Sequence, residues 1–384
     1  MGNLNKPEAA ERTKSGIELL IGGEATRLGL LDSIGTARSS CVITYFTSVR
    51  PGYSSHVDDR DVRVLESHIR KAKAAGAKSI DLFLCTAGGV ATFPWEFVAM
   101  LREHMPSAKF GVIIPYWAYS AGTATALGAD EIVMTPSGVL GPVDSQIYRP
   151  RMELVVNSRL VGSFLELIED VGAKQSRKGA NLQDLLTQNA DPLLLGALHR
   201  AAKEDDRLID NMLASRQSSL PARDVKRIKR FFLDEVALHS QGIRRTEARK
   251  AGLSFITNSE ATGVHSAIET LFEHYASAMK LFHPFASFED PDDEHWGGHF
   301  DAYGQHSAQT PIVVIESQYD CNPAFSAYGS DRHWDAPPPV GSGPSKTPVQ
   351  TAPGPSDYMA QPNRMSLSFT NRSGLTAMLG SDEG

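Results

Sequence analysis

Leu84-Cys85-Thr86-Ala87-Gly88-Gly89-Val90 and Tyr119-Ser120-Ala121-Gly122-Thr123 are the two stretches that decide the fold. Each follows an apolar run of strand character, 80–84 and 110–114, and each leads into a helical run, 94–104 and 120–128. Two strand–turn–helix units in succession predict a parallel sheet with helices outside it, an α/β class. Both turns then lie at the carboxyl ends of neighbouring strands, where open α/β sheets place their sites.

The pattern extends outward from this block. Residues 41–46 and 132–134 read as further strands, and 59–75 as a helix with Val62, Leu65 and Ile69 on one face and Gly76 as its C-cap. A helical stretch follows: Asp191-Pro192 opens a helix to about Arg216, Leu220-Pro221 opens one carrying Val225, Ile228, Phe232 and Val236, 244–250 forms a third, and 264–281 a fourth. The expected organisation is a flexible stretch at 1–15, one α/β body at 16–285 whose helical part begins near 155, and a tail at 286–384. That tail is acidic, then rich in Pro, Gly and Ser, and is expected to be mostly disordered apart from one lone β-like segment at 312–315.

Composition excludes several functions. With a net charge of −7 and no basic stripe, nucleic acid and anionic lipid are not expected partners. No run approaches the ~18 apolar residues of a membrane span, and the first residues lack a secretory apolar core. Cys41, Cys85 and Cys321 show neither CxxC spacing nor an even count, which fits a reducing, cytoplasmic setting without a disulfide framework. His295, His299 and His306 sit in a Gly-rich acidic loop, so neither a metal nor a cofactor is expected.

The chemistry is concentrated in the two turns. Adjacent glycines after a strand allow positive φ and leave backbone N–H groups uncovered, as an oxyanion site requires. Ser120, at the start of a helix, projects into the same crevice as a candidate nucleophile. The N–H groups of Gly89 and Ala121 are then the two oxyanion donors, with Gly88 a further candidate in the oxyanion hole. The structural alternative is that Gly-Gly is only a turn and Ser120 only an N-cap. The joint spacing favours catalysis.

Cys-Thr-Ala-Gly-Gly at 85–89, Tyr-Ser-Ala-Gly-Thr at 119–123, Ala-Asp-Glu-Ile-Val-Met at 129–134 and Leu-Gly-Pro-Val-Asp-Ser-Gln-Ile at 140–147 together resemble the serine dehydrogenase proteinase (SDH) family of Clp-fold serine proteinases. That family is related to signal peptide peptidase A and, more distantly, to Clp protease and the crotonases. The resemblance spans about residues 35–255. It implies a Clp/crotonase-type fold of repeated ββα units and a serine peptidase acting on peptides or exposed protein segments. It also implies a homo-oligomer, with the tail available to a protein partner. The family usually has His-Thr-Pro-Gly-Gly where this chain has Cys-Thr-Ala-Gly-Gly, which loosens the turn without removing an oxyanion donor.

A serine nucleophile needs a base. Clp protease has a histidine about 25 residues after its serine, and none occurs here between His104 and His199. That gap points to the Ser–Lys chemistry of the signal peptide peptidase relatives, and the resemblance implies Lys203 as first candidate, since it matches a lysine in the family's helix, with Lys174 and Lys178, at a similar interval after the serine, as alternatives. A lysine base must be largely neutral, through burial or a neighbouring cation. His239 and Asp144 are further candidates, as orienting or substrate-binding groups or as structural ones. Two other readings stay open: an inactive Clp-fold scaffold, and a crotonase-like acyl-CoA enzyme using the same oxyanion hole for an enolate.

Overall fold

The computed structural model describes residues 16–50, 53–149, 154–160, 162–163, 191–236, 238–282, 288–289, 299–300, 313–320 and 327–328. The strands used below are Cys41–Thr47 (β1), Ser79–Cys85 (β2), Lys109–Ile114 (β3), Trp117–Ala118 (β4), Glu131–Met134 (β5), Val139–Leu140 (β6), Gln146–Arg149 (β7), Leu154–Asn157 (β8), Ile243–Arg244 (β9), Ile256–Asn258 (β10), Val313–Ser317 (β11) and Ala327–Tyr328 (β12). The helices are Glu24–Arg38 (α1), Val62–Ala74 (α2), Phe93–His104 (α3), Ala121–Leu127 (α4), Pro192–Ala214 (α5), Ala222–Arg230 (α6) and His265–Ala278 (α7).

A seven-stranded sheet runs in the order β10-β5-β3-β2-β1-β11-β12. Its first five strands are parallel, and β11 and β12 close the other side antiparallel. Every residue of β1 is buried, as befits a parallel strand covered on both faces. Because side chains alternate, Ile43 and Tyr45 enter the core beneath α2, α3 and α5 with Leu65, Phe97 and Ile209. Val42 and Phe46 enter the core beneath α1 and α7 with Leu31, Ile268 and Tyr275. The result is a Clp-type α/β layer arrangement in which both helical layers draw on alternate residues of the same strands.

Two expectations from sequence need correcting. The β-like segment assigned to the tail is an integral strand of this chain's own sheet, with Ile315 opposite Tyr45 of β1. The reason is a buried electrostatic clamp. Glu316 receives both Nε and Nη2 of Arg27 at 2.8 Å and the Tyr275 hydroxyl at 2.9 Å, while Arg27 Nη1 donates to the Leu20 carbonyl. Val313, Val314 and Ile315 are fully buried around it. Most of 286–384 otherwise lies outside the described residues. The helix expected to reach Val236 ends at Arg230 and passes into a π-helical turn, Phe231–Glu235. There the Phe232 carbonyl accepts the Val143 N–H at 3.0 Å, tying this turn to the loop before β7.

Glu316→Gln should destabilise the protein by about 3–5 kcal/mol in denaturant titration, because it leaves the Arg27 charge buried and unmatched, while Arg27→Met combined with Glu316→Leu should recover most of that loss. A second strand anchor titrates. His68, on α2, meets the Ser317 hydroxyl at 2.9 Å, and burial pushes its pKa down from 6.5 to about 4. The unfolded chain therefore binds the extra proton first, so this contribution is complete above pH 6.5 and is lost as pH falls towards 4, a change of up to about 3 kcal/mol. Thermal melts of wild type and His68→Asn between pH 7.5 and 4.5 should accordingly converge as pH falls.

Candidate active site

Where β2 ends, Thr86 joins the two turns. Its N–H donates to the Trp117 carbonyl at 2.8 Å, and its carbonyl accepts the Tyr119 N–H at 3.1 Å. Its buried hydroxyl receives the Thr47 hydroxyl at 2.8 Å and the Gly88 N–H at 3.0 Å, and donates to the Gly88 carbonyl at 3.1 Å. On the far side, Val57 N–H donates to Gly88 O and Val57 O accepts from Val90 N–H, both at 2.9 Å. These bonds supply the rigidity that Ala87, unlike a proline, cannot. They also commit the Gly88 N–H, which leaves Gly88 a role of shape.

The shape matters because Gly88, at φ +108°, packs directly on Ser120: a Cβ there would lie 2.8 Å from the Ser120 Cβ. At Gly89 a Cβ would stand 2.3 Å from the Val57 carbonyl oxygen. Ser120 itself is a non-glycine residue at φ +49°, ψ −114°, a strained conformation of the kind that persists only when surroundings over-determine it. Its hydroxyl makes no capping bond to α4, so the N-cap alternative does not describe it. Among the described residues, the Gly89 and Ala121 N–H groups find no hydrogen-bond acceptor, whereas the neighbouring Gly122 N–H is satisfied by Tyr119 O at 2.7 Å. A strained serine thus stands beside two uncommitted donors, the elements of an oxyanion site. Cys85, just below, is buried, and burial pushes its thiol up to about 12, leaving it inert as a nucleophile.

A small sheet, β9-β6-β4, fixes the other wall. Thr123 accepts the Gly141 N–H at 2.9 Å while donating to the Ala118 carbonyl at 2.6 Å, holding α4 to β6 and β4. The Tyr119 ring fills the space left by two glycines: a Cβ on Gly141 would be 2.3 Å from its Cδ1, and one on Gly242 2.9 Å from its hydroxyl. Burial pushes the Tyr119 phenol up, keeping it neutral against the opposing pull of Arg244. With Ser120 pinned by its predecessor, β9 runs antiparallel to β6 with Ile243 opposite Leu140, so the chain before β9 and the chain after β6 leave the small sheet at the same end.

There His239 Nδ1 meets Asp144 Oδ1 at 2.7 Å. Asp144 is buried, and its other oxygen accepts from Gln146 Nε2 at 3.0 Å and from Asn157 Nδ2. A carboxylate so supplied with donors favours the tautomer with the proton on Nδ1, which leaves Nε2 of a partly exposed ring with a free lone pair. Ser120 after β4, Asp144 after β6 and His239 before β9 therefore all lie in chain that leaves the same end of the small sheet.

The lysines are disposed differently. Lys203 is exposed on α5, two residues from buried Ala201 and two from buried Asp205, and so about 200° round the helix from both. Lys174 and Lys178 lie outside the described residues. Thr86, Thr123 and Asp205 were not singled out from sequence; the only signal was that Thr86 precedes the glycine pair. No helix among the described residues is long and apolar enough to cross a membrane.

Part of the chain is similar to known proteins. Residues 53–159 match the family model described as ClpP-like SDH-type serine proteinase. An uncharacterized protein of Methanocaldococcus jannaschii is 26% identical over 264 residues, covering 67% of this chain and 81% of the relative. A second from the same organism is 48% identical over 68 residues, 18% of this chain and 23% of the relative. Among solved structures, a mutant of the 1510-N membrane-bound stomatin-specific protease in complex with a substrate peptide aligns with 16% identity and a TM-score of 0.34, over 52% of this chain and 70% of its own. The segment carrying the Gly88-Gly89 turn, Ser120 and Asp144 is thus similar to the ClpP-like SDH-type serine proteinases.

Proposed function

We propose that the protein is a serine endopeptidase that cleaves extended peptide segments through an acyl-enzyme on Ser120, with His239 as general base, Asp144 as its orienting carboxylate, and the N–H groups of Gly89 and Ala121 as the oxyanion hole. The observation that carries this reading is the hydrogen-bonded His239–Asp144 pair at the end of the sheet that also presents the strained Ser120. His239 takes the Ser120 proton as the hydroxyl attacks the scissile carbonyl. The tetrahedral oxyanion is held by the two N–H groups, and the same proton passes to the leaving amine; water then repeats the sequence to release the acyl group. Lys203 as base is disfavoured by its exposure, since a lysine base needs burial or a neighbouring cation.

The substrate side is apolar at one edge: Leu238, beside His239, is 64% exposed and offers a surface to an aliphatic side chain. Homo-oligomeric assembly and cytoplasmic residence belong to the same proposal. Leu193, 85% exposed at the start of α5, is the kind of surface residue that self-association would cover.

Fluorophosphonate labelling followed by intact-mass measurement tests the mechanism. One adduct on wild type is expected, none on Ser120→Ala, and a rate at least about a hundredfold lower on His239→Ala and Asp144→Asn, with Lys203→Ala unchanged. Labelling that survives His239→Ala but disappears in Lys203→Ala would return the base to lysine. Gly88→Ala should fold yet label at least about tenfold more slowly, because its new methyl displaces Ser120.

A further inference from the structure

Behind the His239–Asp144 pair lies a second buried carboxylate. Asp205, on α5, is 4% exposed and accepts three hydrogen bonds: from the Ser145 N–H at 3.0 Å, the Ser145 hydroxyl at 2.5 Å and the Ser158 hydroxyl at 2.7 Å. Those serines are not arbitrary. Ser145 lies between Asp144 and Gln146, and Ser158 follows Asn157, so each adjoins a residue whose amide donates to Asp144. The two segments are joined to each other as well. Ser158 N–H donates to Ser145 O at 2.9 Å, and Asn157 stands opposite Gln146 in the β7–β8 ladder. The Asn157 side-chain oxygen accepts the Arg159 N–H at 2.6 Å, which turns its Nδ2 towards Asp144.

A carboxylate this buried is costly, and burial does push the Asp205 pKa up against the pull of Ser145, Ser158 and the more distant Arg159. Its closest partners are neutral donors, and nothing in the packing of α5 requires an ionisable group there. A hydrophobic residue would fill the space and spare the desolvation. What an apolar side chain could not do is hold two chain segments in one register at one point.

We propose that Asp205 is a positioning residue for the Ser120 chemistry: by fixing Ser145 and Ser158 together, it sets the Asp144 carboxylate and through it the ring of His239. This rests on the reading of His239 as the base. Asp205 touches neither substrate nor reacting atoms. Its action is to fix the orientation of the pair that does.

The test is the pH profile of the fluorophosphonate labelling rate for the full-length protein, with Asp205→Ala, Asp205→Asn, Ile209→Ala and His239→Ala beside wild type. Ile209, buried on the same helix, reports what plain loss of packing does. Asp205→Ala should label about 10–100-fold more slowly, with the acid limb of its profile displaced from wild type. Asp205→Asn should recover part of the rate, because its amide oxygen still accepts from Ser145. Ile209→Ala should keep the wild-type limb even with a lowered melting temperature. Wild-type rate and limb in folded Asp205→Ala would overturn the role of Asp205, as would an equal slowing and displacement in Ile209→Ala. Equal labelling of wild type and His239→Ala would instead remove His239 as base, and the role of Asp205 with it.

Discussion

Thr86 exchanges two backbone hydrogen bonds with the segment 117–119 while its hydroxyl clamps the Gly88 peptide, and the site depends on that junction. It brings the end of β2 against the approach to α4 closely enough that only glycine fits at 88. The same junction directs the Gly88 N–H inwards and, among the described residues, leaves the Gly89 N–H without an acceptor. Ser120 is held from the other side by Tyr119, wedged between Gly141 and Gly242. A residue at φ +49° and ψ −114° costs on the order of 1–3 kcal/mol and survives here because both of its flanks are independently fixed.

The rest of the molecule serves to keep those flanks still. The β1 and β2 strands are buried on both faces and cannot shift register without exposing a whole set of apolar side chains. At the sheet's far side, β11 depends on Arg27–Glu316, an ion pair whose partners come from α1 and from a strand 289 residues later. Such a pair adds little net stability against a hydrophobic substitute but penalises any arrangement that leaves one charge alone. It therefore specifies which segment may cover β1. Near the site the same logic recurs with polar groups: Asp144 and Asp205 are buried carboxylates satisfied by amide, hydroxyl and backbone donors, and each constrains the segments that supply them.

Much of the architecture was legible because it rests on local chemistry. Apolar runs bounded by turn residues marked β1, β2, β3 and β5, and Asp191-Pro192 marked the start of α5, where Asp191 caps Leu193 N–H at 2.9 Å. The glycine pair and Ser120 were legible for the same reason, since glycines after a strand and a serine before a helix are local demands on φ and on space. The β11 segment was misassigned because its hydrophobic pattern says only that it is buried, not against which strand. The end of α6 was overrun because the Phe232 carbonyl leaves the helical ladder for the Val143 N–H, a partner far away in the chain.

Counting forward from Ser120 directed attention to lysines, because no histidine follows within the interval seen in Clp protease. His239 and Asp144, 95 positions apart, are paired instead where the chain before β9 meets the chain after β6. Sequence by itself determined the α/β class and the two turns, and it singled out the candidate nucleophile and candidate oxyanion donors, since each follows from the conformational limits of a few adjacent residues. The partner of Asp144, the face to which Lys203 points, and the strand that covers β1 were decided only by tertiary structure. Side-chain pairing across a sheet depends on register, and register is a property of the packed whole.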